Sequence, residues 1–245
     1  MRNPYLLLWL EAPLQSWGFD SRFGRRDTMP FPTRSGIMGL ICCALGAGGE
    51  QRELLSEFSF LSQTVLSFVR RKKTEIGIER IDREPKLCDF QMVGSGYDDR
   101  DPWENLHIPK TAEGKKPAMV NGSKMTYRYY LPDAAFSVVL EVPPGKVEAI
   151  VQALQCPVWD IYLGRKNCVP TDFLYRGIFQ EEAEAVNRAK EIALEKNRVE
   201  EFRVINDESD SYVEAGEVFT LNDVPVQFGS EKKYHDRRVR LIYAA

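Results

Sequence analysis

The pattern of apolar and polar residues predicts alternating strands and helices in the first part of the chain. A continuous apolar run predicts a buried strand over residues 5–12, and a helix is predicted over 35–45. A second helix is predicted over 50–58. Alternating polar and apolar residues over 64–70 predict a half-buried strand, and a further strand is predicted over 87–93.

A similar order follows a long irregular segment. Residues 94–123 mix proline, glycine and charged residues in a way that predicts no regular element. Order is predicted to return over 126–131, and 135–142 has the pattern of a strand. Apolar residues at helical spacing over 147–154 predict a helix, which a short strand over 161–163 follows.

This order of elements predicts an α+β fold of the ferredoxin-like (RRM-like) βαββαβ type. The open sheet of such folds is used by RNA-recognition modules, although one fold serves many functions. We assign residues 1–175 to this domain, with the long insertion at about 94–123, and residues 176–245 to a small C-terminal α/β extension. The extension begins with a helix predicted over 180–198, interpreted as a solvated cap over the core. Weaker strands are predicted around 202–205, 224–228 and 237–243.

Charge is distributed unevenly along the chain. The 245 residues carry a formal net charge of −3, with a pI near 5.6, whereas free-standing nucleic-acid-binding domains are usually basic. Residues 22–34 nevertheless contain four arginines and one aspartate, and residues 110–128 contain five basic residues and one glutamate. Residues 181–210, with ten acidic and five basic side chains, mask these basic patches. The distribution predicts a protein that binds a polyanion on one face and protein on another.

Cysteine, histidine and hydropathy patterns argue against several classes of function. The five cysteines, with Cys42 and Cys43 adjacent, match neither a disulfide framework nor a zinc motif, which predicts a reduced, cytoplasmic protein. His107 and His235 stand apart from each other and from cysteine, so we predict no metal site. Nucleotide-binding motifs are absent from the sequence, no cofactor is predicted, and no apolar run is long enough to span a membrane.

The strongest chemical signal lies where the first predicted helix begins. Thr33 or Ser35 can act as the N-cap, which leaves N–H groups of the first turn directed at an anion. Gly36 lets another backbone approach the helix closely. Arginines gather around this point, namely Arg22, Arg25, Arg26 and Arg34. Together with the helix dipole they predict a phosphate-binding site.

A second cationic signal follows the predicted strand over 161–163. Gly164 ends this strand, and Arg165, Lys166 and Asn167 come directly after it. Backbone N–H groups combined with positive charge at a sheet edge form a nest for phosphate. The alternative is an ordinary turn with solvated cations.

A metal-independent endoribonuclease is the alternative function. Such an enzyme places His, Tyr and Lys side chains for acid–base catalysis. Residues of these types lie in one region of the sequence, namely His107, Lys124, Tyr127, Tyr129 and Tyr130. Tyrosines that alternate along a strand are more often packing residues, so we predict no catalytic residue.

Four motifs, taken in order, resemble the CasD family, the CRISPR-associated subunits of type I-E Cascade. They are a strand followed by Ala-Pro-Leu-Gln-Ser-Trp-Gly (5–18), Phe-Pro-Thr-Arg-Ser-Gly and the glycines after it (31–46), Arg-Tyr-Tyr-Leu-Pro-Asp-Ala-Ala-Phe (128–136) and Tyr-Leu-Gly-Arg-Lys (162–166). The match covers the chain from residue 5 to about 171 and is weak after residue 180.

The resemblance implies a non-catalytic RNA-binding subunit of an antiviral ribonucleoprotein complex. In this family a ferredoxin-like domain grips the 5′ handle of the CRISPR RNA (crRNA) and caps the backbone filament. The insertion at 94–123 corresponds to a thumb that packs against the backbone subunit CasC, and the same subunit touches the large subunit CasA. Target DNA is read indirectly, through base pairing with the guide. A type I-C branch of the family cuts precursor crRNA, which keeps the endoribonuclease alternative open.

The resemblance also implies which residues contact the handle. The residues expected to hold phosphates or to form a positive wall are Arg22, Arg25, Arg26, Arg34, Ser35, Gly36, Arg128, Gly164, Arg165 and Lys166. The aromatic and amide residues expected to stack on bases or to hydrogen-bond their edges are Gln15, Trp17, Phe23 and Asn167. For Trp17, anchoring the core is the alternative role.

Overall fold

The protein is a mixed α+β structure in which sheet predominates. The structure is a computed structural model that describes residues 2–19, 21, 24–74, 77–93, 124–207 and 216–244. The strands are β1 (Tyr5–Glu11), β2 (Leu14–Gln15), β3 (Trp17–Gly18), β4 (Arg25–Arg26), β5 (Thr28–Met29), β6 (Gln63–Thr74), β7 (Gly77–Arg80), β8 (Leu87–Val93), β9 (Lys124–Pro132), β10 (Ala135–Glu141), β11 (Tyr175–Phe179), β12 (Arg198–Asn206), β13 (Glu217–Gln227) and β14 (Lys233–Tyr243). The helices are α1 (Arg34–Leu45), α2 (Arg52–Phe58), α3 (Val147–Gln155), which a 3₁₀ turn over Pro144–Lys146 precedes, and α4 (Glu182–Glu195).

One large sheet organises the fold. Its strands lie in the order β11-β1-β10-β6-β12-β14-β13, and β7 pairs with the far end of β6. All neighbouring strands are antiparallel, with Leu8 opposite Val138 and Val138 opposite Val65 in the centre. The sheet therefore includes strands from both ends of the chain, and β13 forms one of its edges.

Both faces of the central strands are buried, which explains the unbroken apolar run of β1. Leu6, Leu8 and Leu10 point towards α1 and α3 in the larger core cluster. Leu7 and Trp9 point the other way, towards α4 in the smaller cluster. In α4 the small residues Ala185 and Ala189 are fully buried, four residues apart on the face that packs against the sheet. Helix α4 is thus a cap over the core, as predicted.

Two predictions about the sheet are wrong because α4 covers it. The alternating pattern of residues 64–70 predicts one solvated face, yet Gln63–Val69 are all buried, including the polar Thr64 and Ser67. The open sheet face expected from the fold class is closed over β1, β10 and β6 for the same reason. In addition, Leu194, which the pattern places on the apolar stripe of α4, is about half exposed.

The predicted strand over 161–163 is also wrong. These residues form an irregular segment in which the Leu163 N–H donates to the Cys168 carbonyl and the Cys168 N–H donates to the Arg165 carbonyl, while the Leu163 carbonyl accepts from the Ser16 N–H at 3.1 Å. The strand beside β1 is β11 instead. The other predicted elements before residue 200 are present with small shifts of their ends, whereas the three C-terminal strands are longer than predicted, with β13 beginning at Glu217 and not near 224.

A second, smaller sheet lies beside the first. Strand β9 pairs with β2, with β4 and with β8, and Arg26 lies opposite Arg128 where β4 and β9 run parallel. The insertion predicted at 94–123 falls between β8 and β9 and lies outside the described residues. Among the described helices, none is long and apolar enough to cross a membrane.

Candidate nucleic-acid interface

A groove of about 490 Å³ runs along one side of α1. We call it the α1 groove; its walls come from the start of α1, the loops around Trp17 and Gly164, and the end of β13 with the start of β14. It is lined by Ser16, Trp17, Gly18, Thr33, Ser35, Gly36, Gly39, Cys42, Cys43, Ala47, Gly49, Trp159, Gly164, Phe228, Lys232 and Tyr234. Four of the residues predicted to bind RNA, Trp17, Ser35, Gly36 and Gly164, therefore meet in one place.

Small residues keep the α1 groove open on the helix side. Thr33 is the N-cap of α1, and its Oγ1 accepts a hydrogen bond from the Gly36 N–H at 3.2 Å. A side chain at Gly36 would collide with the Trp17 ring, at 2.8 Å from Cε3, whereas a Cβ at Gly39 would meet open space. The helix thus presents backbone and small side chains to whatever enters the groove.

The structure corrects the role predicted for Arg34. Its side chain is 1% exposed, and its Nη2 donates a hydrogen bond to the Phe58 carbonyl. The backbone N–H of Arg34 donates to Oδ2 of Asp223 at 2.7 Å, so a carboxylate of the chain itself already sits at the start of α1. Arg34 therefore faces away from the α1 groove, because consecutive residues of a helix point about 100° apart.

The structure also corrects Gln15 and places Trp17 in the core. Gln15 is fully buried, and its Nε2 donates to the carbonyls of Leu10 and Ala134 at 3.0 and 2.7 Å. Its Oε1 accepts from the Trp17 indole N–H at 3.1 Å. Because Gln15 is fully buried and both of its N–H groups are used inside the protein, it is not accessible to a base edge. Trp17, 1% exposed, acts as the core anchor that was its alternative role and not as a stacking platform.

The loop after Leu163 is held close to the start of the chain. Gly164 has a φ of +99°, and a Cβ there would lie 1.6 Å from the Ser16 carbonyl oxygen. The Arg165 guanidinium donates to the Tyr129 carbonyl at 3.3 Å and to the Arg26 carbonyl at 2.9 Å, and it lies over the Tyr130 ring. Arg165 thus ties this loop to the smaller sheet, while Lys166 and Asn167 remain exposed.

Four exposed cations lie next to this loop, Arg25, Arg26, Arg128 and Lys166, and we call them together the cationic surface. The first three lie on the paired strands β4 and β9, and Lys166 follows the residue that bonds to Arg26. Because side chains alternate along a strand, Arg25 points to the other face of the smaller sheet from Arg26 and Arg128. The charge of Arg25 is partly offset by Asp27 at 3.6 Å, and its guanidinium lies over the Tyr129 ring. Arg22 and Phe23 lie outside the described residues.

Sequence reasoning missed the far wall of the α1 groove. Trp159 is about half exposed there, and Lys232 and Tyr234 approach from the C-terminal hairpin. The Trp159 loop is fixed to the end of α1 because the Val158 N–H donates to the Ala44 carbonyl at 2.9 Å. An exposed tryptophan is a usable signal, but Lys232 and Tyr234 lie more than 190 residues from the start of α1, and no local pattern links them to it.

The tyrosines of β9 contact other side chains of the protein. Tyr130 is buried under Arg165, and Tyr127 packs on the Phe90 ring at 5.0 Å. A hydrogen bond with Cys88 raises the pKa of Tyr129, which is the wrong direction for a general base. His107 lies outside the described residues, and in the described part of the chain no three metal-ligating side chains cluster.

Comparisons with known proteins match this chain to CRISPR-associated proteins. A family model described as CRISPR-associated protein (Cas_Cas5) matches residues 5–240. The CRISPR system Cascade subunit CasD of Escherichia coli (strain K12) is 32% identical over 179 residues, which are 72% of this chain and 71% of that protein. A solved CRISPR RNA-guided surveillance complex contains a chain that is similar over 98% of this chain and 90% of its own length, with 28% identity and a TM-score of 0.67. A solved Cas protein is similar over 98% and 94%, with 27% identity and a TM-score of 0.56.

Proposed function

Because this chain belongs to the Cas5 family of CRISPR-associated proteins, we propose that it is the crRNA-binding subunit of a type I-E Cascade complex. In this proposal it binds the 5′ handle of the guide and caps the backbone filament without cutting RNA. The observation that carries the proposal is the similarity of nearly the whole chain to a chain of an RNA-guided surveillance complex.

The geometry suggests how the handle would bind. The α1 groove has the volume of a small-molecule site and is walled by Trp159 and Tyr234, which suit an unpaired base. Lys232 lies at the same groove, and the cationic surface begins just beyond Gly164. A single strand would place a base in the groove and its phosphates along these cations, since protein contacts to phosphates position RNA while base contacts specify it.

The topology supports the ferredoxin-like classification. The order β11-β1-β10-β6, with α1 after β1 and α3 after β10, is the order of a split βαβ fold. Here the surface next to α1 takes the role that the open sheet has in other RNA-recognition modules, because α4 covers the sheet. The division of the chain at residue 175 stays a prediction; the main sheet continues across it, since β11 begins at Tyr175.

The partner subunits are part of the proposal. The thumb at 94–123 is proposed to contact CasC, and a further surface is proposed to contact CasA, so that target DNA is reached only through the assembled complex. The exposed apolar residues where β8 and β9 leave the fold, Phe90, Met92 and Met125, are suitable for such a protein contact.

The proposal excludes cleavage, which a direct assay tests. The purified chain is incubated with hairpin precursor crRNA in the presence of EDTA. We expect binding without specific cleavage, because the described tyrosines are packed or have the wrong pKa shift for a base. Specific cleavage that a Tyr129→Phe substitution abolishes would establish the endoribonuclease alternative.

Filling the α1 groove tests the binding site itself. Gly39→Leu places a side chain in open space in the groove, and it replaces glycine within a helix, so the fold is expected to be as stable or more stable. We expect the affinity for 5′-handle RNA to fall by at least about tenfold, because the groove is occupied. Ala149→Leu, which adds a similar apolar side chain on the exposed face of α3, is the matched control and is expected to change nothing. Unchanged RNA affinity in Gly39→Leu would exclude the α1 groove as the site.

A further inference from the structure

A second cavity, of about 230 Å³, lies on the other side of the start of α1. We call it the Arg34 cavity. Its lining includes Arg34, Phe60 after α2, Asp207 after β12, and His235 and Arg237 on β14. Among the described residues that were predicted to bind RNA, only Arg34 contributes to this lining.

The charge of Arg34 is not fully compensated. The carboxylate closest to it in the hydrogen-bond network, Asp223, accepts from the Arg34 backbone N–H and also from Nε and Nη2 of Arg237, at 2.7 and 3.0 Å. Asp223 is therefore occupied by the Arg237 guanidinium and the Arg34 backbone, whereas the Arg34 guanidinium donates to the Phe58 carbonyl. The Nε of Arg34 is buried and has no hydrogen-bond partner among the described residues. A buried cation with an unmade hydrogen bond is costly, so its retention calls for an anion.

The charge state of Arg34 also supports an anion in the Arg34 cavity. Burial, together with the charge of Arg237, lowers the pKa of Arg34 to about 10. The side chain is still charged at neutral pH, because this value lies well above 7. The guanidinium group has a planar array of donors that suits the two oxygens of a carboxylate.

We propose that the Arg34 cavity binds an acidic side chain of a partner protein in the assembled complex. Two features favour a protein over RNA. Asp236 adds an exposed carboxylate to the lining, and Asp207, which pairs with Arg238 and Arg240, adds a second, so the cavity suits a single acid that reaches Arg34 better than the successive phosphates of a strand. Phe60, at the rim, is 92% exposed, which suits an apolar neighbour of that acid. The proposal rests on the proposed function, since the partner is another protein of the same complex.

A cross-linking experiment identifies the occupant. A photoreactive benzoylphenylalanine is placed at position 60, and the complex is reconstituted from the full chain, guide RNA and the other purified subunits. We expect a cross-link to one protein subunit, within a few residues of an aspartate or glutamate. A cross-link to the guide RNA alone, or none in the complete complex, would overturn the proposal. Because Phe60 is almost fully exposed, this replacement leaves folding unchanged.

A double-mutant cycle then tests the charge pairing. Arg34→Gln and a Glu→Gln or Asp→Asn substitution at the cross-linked acid are each expected to weaken partner binding five- to tenfold, and the double variant no further, because both remove the same interaction. Arg52→Gln, at an exposed arginine of α2, is the matched control and is expected to have no effect. Additive losses, or no loss from the partner's substitution, would contradict the pairing. If Arg34→Gln fails to fold, partner binding measured with the partner's substitution and with Phe60→Ser tests the proposal without it.

A failure of this inference is distinguishable from a failure of the proposed function. The affinity of the isolated chain for handle RNA, measured by fluorescence anisotropy, reports only the proposed function. We expect Arg34→Gln to change that affinity less than twofold in the folded protein. A tenfold loss of RNA affinity, with partner binding intact, would instead assign the Arg34 cavity to a phosphate.

Discussion

The start of α1 and the loop after Leu163 carry similar sequence signals and end in different surroundings. Each combines glycine, a small or polar residue and arginine. At the start of α1, Asp223 of β13 accepts a hydrogen bond from the Arg34 backbone N–H, and the Arg34 side chain is buried. In the loop, Arg165 is held by backbone carbonyls, which leaves Lys166 exposed on the cationic surface. Whether a cationic motif is structural or binds a ligand is therefore decided by residues that are distant in sequence.

The largest expected effect comes from removing the carboxylate at the start of α1. Asp223→Asn leaves Arg237 buried without its counterion and weakens the acceptor of the Arg34 backbone N–H, so we expect the free energy of unfolding to fall by about 3–5 kcal/mol. Urea denaturation measures this loss. Asp236→Asn removes an exposed carboxylate of β14 and is expected to cost less than about 0.5 kcal/mol. Equal stabilities of the two variants would mean that Asp223 is not an essential counterion at the start of α1.

A somewhat smaller effect is expected at Gly164 in the loop. Gly164→Ala places a Cβ against the Ser16 carbonyl at a positive φ, so we expect a loss of about 2–3 kcal/mol and a weaker RNA affinity as the loop moves. Gly49→Ala is the matched control, since Gly49 also has a positive φ but open space around it. The Gly49→Ala substitution is expected to lower the free energy of unfolding by about 1 kcal/mol, from backbone strain alone. A Gly164 variant as stable as the Gly49 variant would show that the close approach to Ser16 is not required.

Most of the fold follows from local patterns because its elements are strongly periodic. The apolar run of β1 and the cap of α1 predict their elements within one or two residues. The strand expected over 161–163 is missing because the Leu163 backbone bonds to Cys168 and to Ser16, while β11 pairs with β1 instead. The covering of the sheet by α4 depends on packing between segments more than 100 residues apart, which periodicity does not reveal.

The candidate site could be predicted only in part for the same reason. Ser35 and Gly36 reach the α1 groove because they lie at the start of a helix that its own sequence defines, whereas Gly164 reaches it because its turn is tied to Ser16. Gln15 and Arg34 carry polar groups whose partners, Ala134 and Asp223, come from other strands. Sequence motifs indicate which donors exist; the tertiary structure determines which of them remain free to bind a ligand.

A smaller effect, on RNA binding and not on stability, is expected at Lys166. Lys166→Gln removes one exposed cation, so the affinity for handle RNA is expected to fall by about 1 kcal/mol and the slope of log K against log salt to decrease by about 0.7. The free energy of unfolding should change by less than about 0.5 kcal/mol. The matched control is Lys190→Gln on α4, which lies on the opposite face of the sheet and pairs with Glu200. An unchanged slope of log K against log salt in Lys166→Gln would show that Lys166 does not contact the RNA.

The smallest effect concerns a third region, the ion pairs of Asp133 and Glu11, which should differ from the cationic surface in its response to acid. Hydrogen bonds from Arg70 lower the pKa of Asp133, and although burial raises the pKa of Glu11, hydrogen bonds from Lys196 and Trp9 outweigh it. Because these pKa values are lower in the folded state, the stabilisation is complete above the unfolded values of about 3.9 and 4.3 and is lost as the pH falls through and below them. Both carboxylates are partly solvated, so we expect a loss of about 1 kcal/mol, measured by urea denaturation at pH 7, 5 and 3.5.

The cationic surface should respond differently, because its charges belong to arginine and lysine and not to carboxylates. Handle RNA affinity at pH 5 is therefore expected to equal that at pH 7, with stability still intact. Asp133→Asn, which cannot titrate, should lose less stability between pH 5 and 3.5 than the unaltered chain does. An RNA affinity that falls between pH 7 and pH 5 would show that a titrating group, and not the cationic surface alone, holds the guide.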